Sequence, residues 1–146
     1  MRLKAMGTAV LMSMAIAGCA APPQSDPPLP SGQLISGRAE VVIGDNPQQK
    51  LDNVACHPNS TGIDIVVGRG DETIAMIVKN DSAPRPAGVA INDFDGFSGS
   101  YWDGLQGSAD LSVRGQTYDF TGLAAGFRSG EPGARVEERF SIRAAC

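Results

Sequence analysis

Glycine-rich turns separate short apolar runs over most of this 146-residue chain, and that spacing limits what the chain can fold into. Glycine occurs 18 times, while aromatic residues make up only 5% of the sequence. No long segment carries apolar residues at the 3.6-residue spacing of a helix. The pattern predicts an all-β domain, a single antiparallel β-sandwich or flattened barrel of about eight or nine short strands.

The predicted strands follow the apolar and alternating runs between these turns. They are residues 38–43, 51–57, 63–67, 73–79, 88–91, 101–102, 109–113, 116–120 and 136–146. Residues 73–79 form the most apolar run, and its β-branched content predicts a buried central strand. Residues 80–86 contain two prolines and are predicted to be a loop.

Residues 109–120 form the clearest hairpin. A two-residue turn at Arg114 and Gly115 predicts a register with Leu111 opposite Tyr118 and Asp110 opposite Asp119. The apolar residues then share one face. Ser112 and Thr117 lie on the other, which is predicted to meet water.

The first 18 residues have the three parts of a secretory signal. Arg2 and Lys4 give a positive start, residues 5–16 are uncharged, and small residues precede Cys19. The uncharged run is too short to cross a hydrocarbon core of about 30 Å as a permanent helix. We therefore expect an exported protein.

The residues that end this signal, Ile16-Ala17-Gly18-Cys19, resemble a bacterial lipobox. That resemblance implies cleavage before Cys19, diacylglycerol on its sulfur and acylation of the freed amine. The alternative is an ordinary signal peptide that happens to contain a cysteine. Because two or more acyl chains hold a protein stably, a lipobox predicts an anchor at the outer face of the cell membrane or in the cell envelope.

Residues 19–36 are predicted to be a flexible tether, and residues 37–146 the globular β domain. The stretch from 20 to 32 holds five prolines and little to bury. At about 3.1 Å per residue in polyproline II, the tether would let the domain stand up to roughly 50 Å from the membrane.

Charge and cysteine count limit the partners further. After residue 18 the chain keeps 16 acidic and 10 basic residues, a formal net charge of −6, which argues against nucleic acid as a partner. Without Cys19, two cysteines remain, and an even pair in an exported chain predicts a disulfide between Cys56 and Cys146. Two free buried thiols are the alternative.

Catalytic and metal-binding patterns are weak. The one histidine, His57, has no Gly-x-Ser-x-Gly partner motif, and a zinc site would need more ligands. Asp93, Asp95 and Asp103 flank glycines, which suits tight turns, although calcium is an alternative. We predict no enzyme activity, no cofactor and no metal.

Tyr101 and Trp102 are the candidate ligand contacts. They lie in a glycine-rich segment that could form an exposed pocket for an acyl chain or a sugar. The alternative is that Trp102 covers one end of the core.

Taken together, the chain resembles the LpqH-type mycobacterial lipoprotein antigens over nearly its whole length. Besides the lipobox and tether, the resemblance is carried by residues 53–56, 63–68, 74–78, 92–96, 115–122 and 140–146. It implies a surface lipoprotein whose acylated N-terminus is sensed by host Toll-like receptor 2. Family tethers are threonine-rich and glycosylated, whereas residues 20–32 offer only Ser25 and Ser31 as hydroxyls.

The sequence therefore predicts a non-enzymatic, lipid-anchored lipoprotein that presents a β domain for binding or host interaction. The membrane is its partner through the lipid, a host receptor is a second partner by resemblance, and no protein partner can be named. The alternative is a carrier of a hydrophobic ligand such as an envelope lipid.

Overall fold

A computed structural model describes residues 27–146, so the predicted signal and Cys19 lie outside the described part. The ten strands are β1 (Ala39–Ile43), β2 (Gln49–Leu51), β3 (Val54–Asn59), β4 (Gly62–Arg69), β5 (Glu72–Asn80), β6 (Pro84–Phe94), β7 (Phe97–Trp102), β8 (Ser108–Arg114), β9 (Thr117–Arg128) and β10 (Glu131–Ala145). Within these residues no helix is long and apolar enough to cross a membrane.

All neighbouring strands are antiparallel, in the order β2-β1-β10-β9-β7-β6-β5-β4-β3. The outermost strands of this order, β2 and β3, are joined in the chain by only Asp52 and Asn53. Because three peptide units reach at most about 11 Å, the two edges lie close together. The sheet therefore curls into a nearly closed barrel, which confirms the predicted fold class.

Strand β9 is where the sheet branches. Its first half, residues 117–123, pairs with β8, and its second half, residues 125–128, pairs with β7. On its other side β9 pairs with β10, with a register shift between Glu131 and Val136. One long strand thus runs from one end of the barrel to the other.

The core consists of the side chains that alternate inward along the strands. In β5, Ile74, Met76 and Val78 are buried, and the strand is paired on both sides by β4 and β6. This confirms that residues 73–79 are a central strand. Each such side chain stabilises the fold by about 1.5 to 3 kcal/mol.

The predicted register of the hairpin at residues 109–120 is wrong by two residues. The turn is Gly115 and Gln116, with Gly115 at a φ of 59°, a conformation that glycine adopts without strain. The observed pairs are Leu111 with Phe120, Asp110 with Thr121, and Ser112 with Asp119. A shift of two keeps each side chain on its predicted face but removes the expected pair of facing aspartates.

Two other predicted segments differ in the structure. Residues 80–86 are not all loop, because β6 begins at Pro84. Here β6 has only β5 beside it, since its pairing with β7 starts at Gly88, and such a one-sided strand tolerates proline. The predicted strand at residues 51–57 is split, with β2 and β3 lying on opposite edges of the sheet.

Candidate functional site

The predicted lipidation site, Cys19, is outside the described residues, so the structural question is how the chain leading from it joins the domain. Residues 27–37, here called the N-terminal segment, lie across one end of the barrel. The backbone N–H of Leu34 donates to Thr117 Oγ1 at 2.9 Å, and Ser36 Oγ donates to the carbonyl of Cys146 at 2.6 Å. Part of the predicted tether is therefore fixed to the domain.

Thr117 shows how this attachment changes the surface. It lies on the predicted water-facing side of β9, yet only 2% of it is exposed, because the N-terminal segment covers it. Its hydroxyl oxygen accepts the Leu34 N–H, so the buried polar group has a partner. Sequence reasoning missed this residue. The available signal was the pair Leu34-Ile35, two adjacent aliphatic residues after a proline-rich stretch.

The predicted disulfide is confirmed and lies at the same end. Cys56 of β3 is bonded to Cys146, with a Cα–Cα distance of 5.9 Å, which is ordinary for a disulfide. Gly37 N–H also donates to the carbonyl of Ala145 at 2.9 Å. The N-terminal segment, the edge strand β3 and the end of β10 are thus tied together, and we call this region the disulfide end.

An open apolar groove of about 680 Å³ follows the N-terminal segment. Its lining includes Leu29, Leu34 and Ile35, together with the β8–β9 turn. Leu29 is 48% exposed and Ile35 is 64% exposed, which is high for aliphatic side chains. An adjoining groove brings Arg38 and Lys50 beside the same two residues. The disulfide end therefore combines exposed apolar and basic side chains.

Tyr101 and Trp102 lie on opposite faces of β7 and do not share a pocket. Tyr101 is 5% exposed, and its hydroxyl donates to the carbonyl of Pro86 at 3.3 Å. Burial raises the pKa of Tyr101 above its ordinary value, and the nearby Asp103 raises it further. Trp102 is 39% exposed and packs on Gly88 from outside. Their role as ligand contacts remains a prediction.

The predicted acidic residues are separated. Asp93, near the end of β6, and Asp95, in the β6–β7 turn, adopt left-handed conformations, with φ of 44° and 53°. Asp93 accepts from Ser129 Oγ at 2.8 Å, and Asp95 accepts from Gln49. Asp103 instead accepts from an arginine, Arg85, at 2.9 Å. Each carboxylate therefore has a different protein partner, and the three do not converge on one point.

Other titratable groups are equally dispersed across residues 27–146. No three or more His, Cys, Asp or Glu side chains of this part of the chain are grouped as metal ligands. His57 is exposed on β3, with Asp64 opposite it on β4. The arrangement gives this histidine neither a nucleophile nor a closed cleft.

The fold and the disulfide end define the class of protein. It is a small β domain with a disulfide, which forms in an oxidising compartment, and it follows a leader that ends in a lipobox. The family model for the Mycobacterium 19 kDa lipoprotein antigen matches residues 32–146. The chain belongs to this family, which confirms the resemblance. It is an exported surface lipoprotein, anchored at the outer face of the cell membrane or in the cell envelope.

Individual relatives carry similar names. The chain is 28% identical to a "Putative lipoprotein" of Mycobacterium avium subsp. hominissuis, over 80% of this chain and 81% of that protein. It is 28% identical to "Probable lipoprotein LppE" of Mycobacterium tuberculosis, over 80% and 89% of the two chains. It is 26% identical to "Lipoprotein LpqH" of Mycobacterium avium, over 73% of this chain and 67% of that protein. These names describe lipoproteins and no enzyme.

Proposed function

We propose that this protein is a non-enzymatic surface lipoprotein, acylated on Cys19, whose acylated N-terminus is recognised by host Toll-like receptor 2. The observation that carries the proposal is the order of the chain: the lipobox ends at Cys19, and the family domain follows from residue 32. Pro27 and Pro28 are exposed, so nothing in the domain buries the start of the described chain.

The β domain supports a presenting role more than a chemical one. Its interior is occupied by packed aliphatic and aromatic side chains, including Phe97, Phe120 and Met76. Its one histidine is exposed on an edge strand. A catalytic site normally combines a concave pocket with converging titratable groups, and the described residues offer groups that are spread apart.

Replacing Cys19 tests the proposal directly. In a mycobacterial host, we expect Cys19→Ala to abolish incorporation of labelled palmitate and to prevent cleavage after Gly18, because only a thiol forms the thioether. Purified wild-type protein should activate reporter cells that express Toll-like receptor 2, whereas the variant should not.

The matched control is the double variant Cys56→Ala/Cys146→Ala, which loses the disulfide and its two cysteines but retains Cys19. It should still incorporate palmitate and still activate the receptor. A wild-type mass that corresponds to an unlipidated chain beginning at Met1 would contradict the proposal.

The second candidate is carriage of a hydrophobic ligand, such as an envelope lipid. The open groove at the disulfide end favours it, but the packed interior opposes it, because a carrier usually buries most of its ligand. Native mass spectrometry of protein from its host tests this candidate. A stoichiometric adduct on the Cys19→Ala variant would favour the carrier.

A further inference from the structure

We propose that the disulfide end is a membrane-docking surface, on which Leu29 and Ile35 enter the bilayer interface while Arg38, Lys50 and Arg114 meet lipid phosphates. The inference rests on the proposed acylation of Cys19. It adds that the domain is held in one orientation against the membrane. The flexible tether predicted from the sequence would instead leave the orientation of the domain unrestricted.

The first step is the reach of the anchor. Cys19 lies eight residues before Pro27, where the described chain begins. Eight residues span at most about 29 Å when fully extended. Strand β9, with 12 residues, is about 40 Å long. The link is therefore shorter than β9, and it leaves the domain at the disulfide end, so that end is the part of the domain tethered closest to the acyl chains.

The second step is the exposed apolar surface at this end. Leu29 and Ile35 project from the N-terminal segment, and neither is covered although the adjacent Leu34 is partly buried. The hydrogen bonds of Leu34 and Ser36 fix the backbone on both sides of Ile35. Ile35 is thus presented on a chain that is held on both sides, which lowers the entropic cost of inserting its side chain.

The third step is charge. Arg38 and Lys50 line the groove beside Leu29 and Ile35, and the guanidinium of Arg114 occupies the space that a Cβ on Gly32 would need. All three basic residues are exposed, in a chain whose net charge is negative. Basic side chains around apolar ones are typical of a surface that binds anionic lipid.

The carboxylate in the same groove does not cancel this charge. Glu40 is only partly exposed and accepts a hydrogen bond from Arg143 at 3.2 Å. Arg143 also lies 3.7 Å from Asp119, so it offsets the charge of Glu40 only in part. The exposed charged side chains that line the groove are Arg38 and Lys50. A bilayer with anionic phospholipids is the occupant that matches both the apolar and the basic residues.

The test places one tryptophan at each end of the barrel in the lipidated protein. With Trp102→Phe as background, Ile35→Trp reports on the disulfide end. Gly130→Trp reports on the opposite end, in the β9–β10 turn, where a Cβ at residue 130 meets no atom within 4 Å. Both proteins are reconstituted into vesicles of phosphatidylglycerol and phosphatidylcholine with brominated acyl chains, which quench nearby tryptophan.

We expect the tryptophan at position 35 to lose much of its emission and shift to the blue, while the one at position 130 is unaffected. Vesicles of phosphatidylcholine alone, or the added pair Arg38→Gln/Lys50→Gln, should reduce that quenching. Equal quenching at both positions would overturn the inference, because the domain would then have no preferred orientation.

Absence of quenching at position 35 in protein that still sediments with the vesicles also overturns it. The proposed acylation would still stand after this result. The surface at the disulfide end would then be covered by the protein's own acyl chain, which carries no bromine, or by nothing. A blue shift at position 35 that grows with protein density at constant lipid, without quenching, would overturn the inference and assign the surface to a second copy. Protein that does not sediment at all would instead refute acylation, and docking with it.

Discussion

The two ends of the barrel are closed in different ways. At the disulfide end, the chain is held by contacts between residues far apart in sequence, such as Ser36 with Cys146, which are 110 residues apart. At the opposite end, here called the turn end, the β6–β7 and β9–β10 turns bind each other. Ser129 N–H donates to the carbonyl of Gly96 at 2.9 Å, and Phe94 and Phe97 are buried beneath.

The two ends also differ in which apolar side chains they leave exposed to water. The turn end buries Phe94 and Phe97, and only the ring of Phe127 beside the turns stays partly exposed. The disulfide end carries the chain that leads to the lipid and leaves Leu29 and Ile35 exposed. An end that lies against a membrane has less need to cover its apolar residues, because the bilayer removes them from water. This contrast is the reason to expect the disulfide end at the membrane and the turn end in water.

The largest expected effect comes from removing the disulfide. The variant Cys56→Ala/Cys146→Ala should lose about 4 to 5 kcal/mol of unfolding free energy in the chain-entropy model, since the bond closes a long loop. Urea unfolding measures this. Hydrogen exchange should also accelerate at the amide of Gly37 more than at that of Ser129. Equal acceleration at both amides would mean that the disulfide does not act locally on its own end.

The next largest effect tests the turn end. Phe97→Ala should cost about 3 to 5 kcal/mol, because it leaves a cavity under the turns. The matched control is Phe127→Ala, which removes a ring that is 42% exposed and should cost much less. Urea unfolding midpoints compare the two. Similar losses would show that the turn end is not built on a buried aromatic core.

A smaller effect isolates the attachment of the N-terminal segment. Thr117→Val removes the acceptor for the Leu34 N–H and should cost about 1 kcal/mol. Amide exchange at Leu34 and proteolysis within the segment should both become faster, while the β-sheet remains protected. Thr121→Val is the control, since Thr121 is exposed and lies on the same face of β9. Unchanged exchange at Leu34 would mean that other contacts hold the segment.

The smallest effect is a pH dependence. Burial raises the pKa of Tyr101 above its ordinary value of 10.0, so the unfolded chain loses this proton first as the pH rises. The stability contributed by Tyr101 is therefore fully present below pH 10.0 and falls as the pH rises towards its folded pKa. The difference in urea midpoint between wild type and Tyr101→Phe should shrink over that range. A constant difference would contradict the raised pKa.

Much of the fold could be predicted from local patterns. Alternation along residues 73–79 identifies a buried strand, since a period of two defines the inward face. Only Cys56 and Cys146 remain once Cys19 is set aside, and an even pair in an exported chain predicts their disulfide. Local pattern alone does not place the hairpin turn, because Arg114-Gly115 and Gly115-Gln116 both provide a glycine and both registers keep the same faces. Contacts outside the hairpin distinguish them, such as the Gln116 carbonyl, which accepts the Cys146 N–H at 2.9 Å.

The candidate site could be predicted only in part. The lipobox is a local signal, so the sequence places the predicted anchor at one residue. The docking of residues 32–37 on Thr117 and Cys146 has no local signal, because it joins segments 83 and 110 residues apart. Tyr101 and Trp102 are adjacent in sequence, but consecutive residues of a strand face opposite sides of the sheet, so they do not form one site.

Consecutive or evenly spaced residues are enough to assign the class of the protein, because the export leader, the strand periodicity and the cysteine count are all local features. The closeness of β2 and β3, and the docking of the N-terminal segment at the disulfide end, emerge only once the chain is folded. Local spacing sets which way a side chain faces. What it faces depends on contacts between distant residues, which form only when the sheet curls.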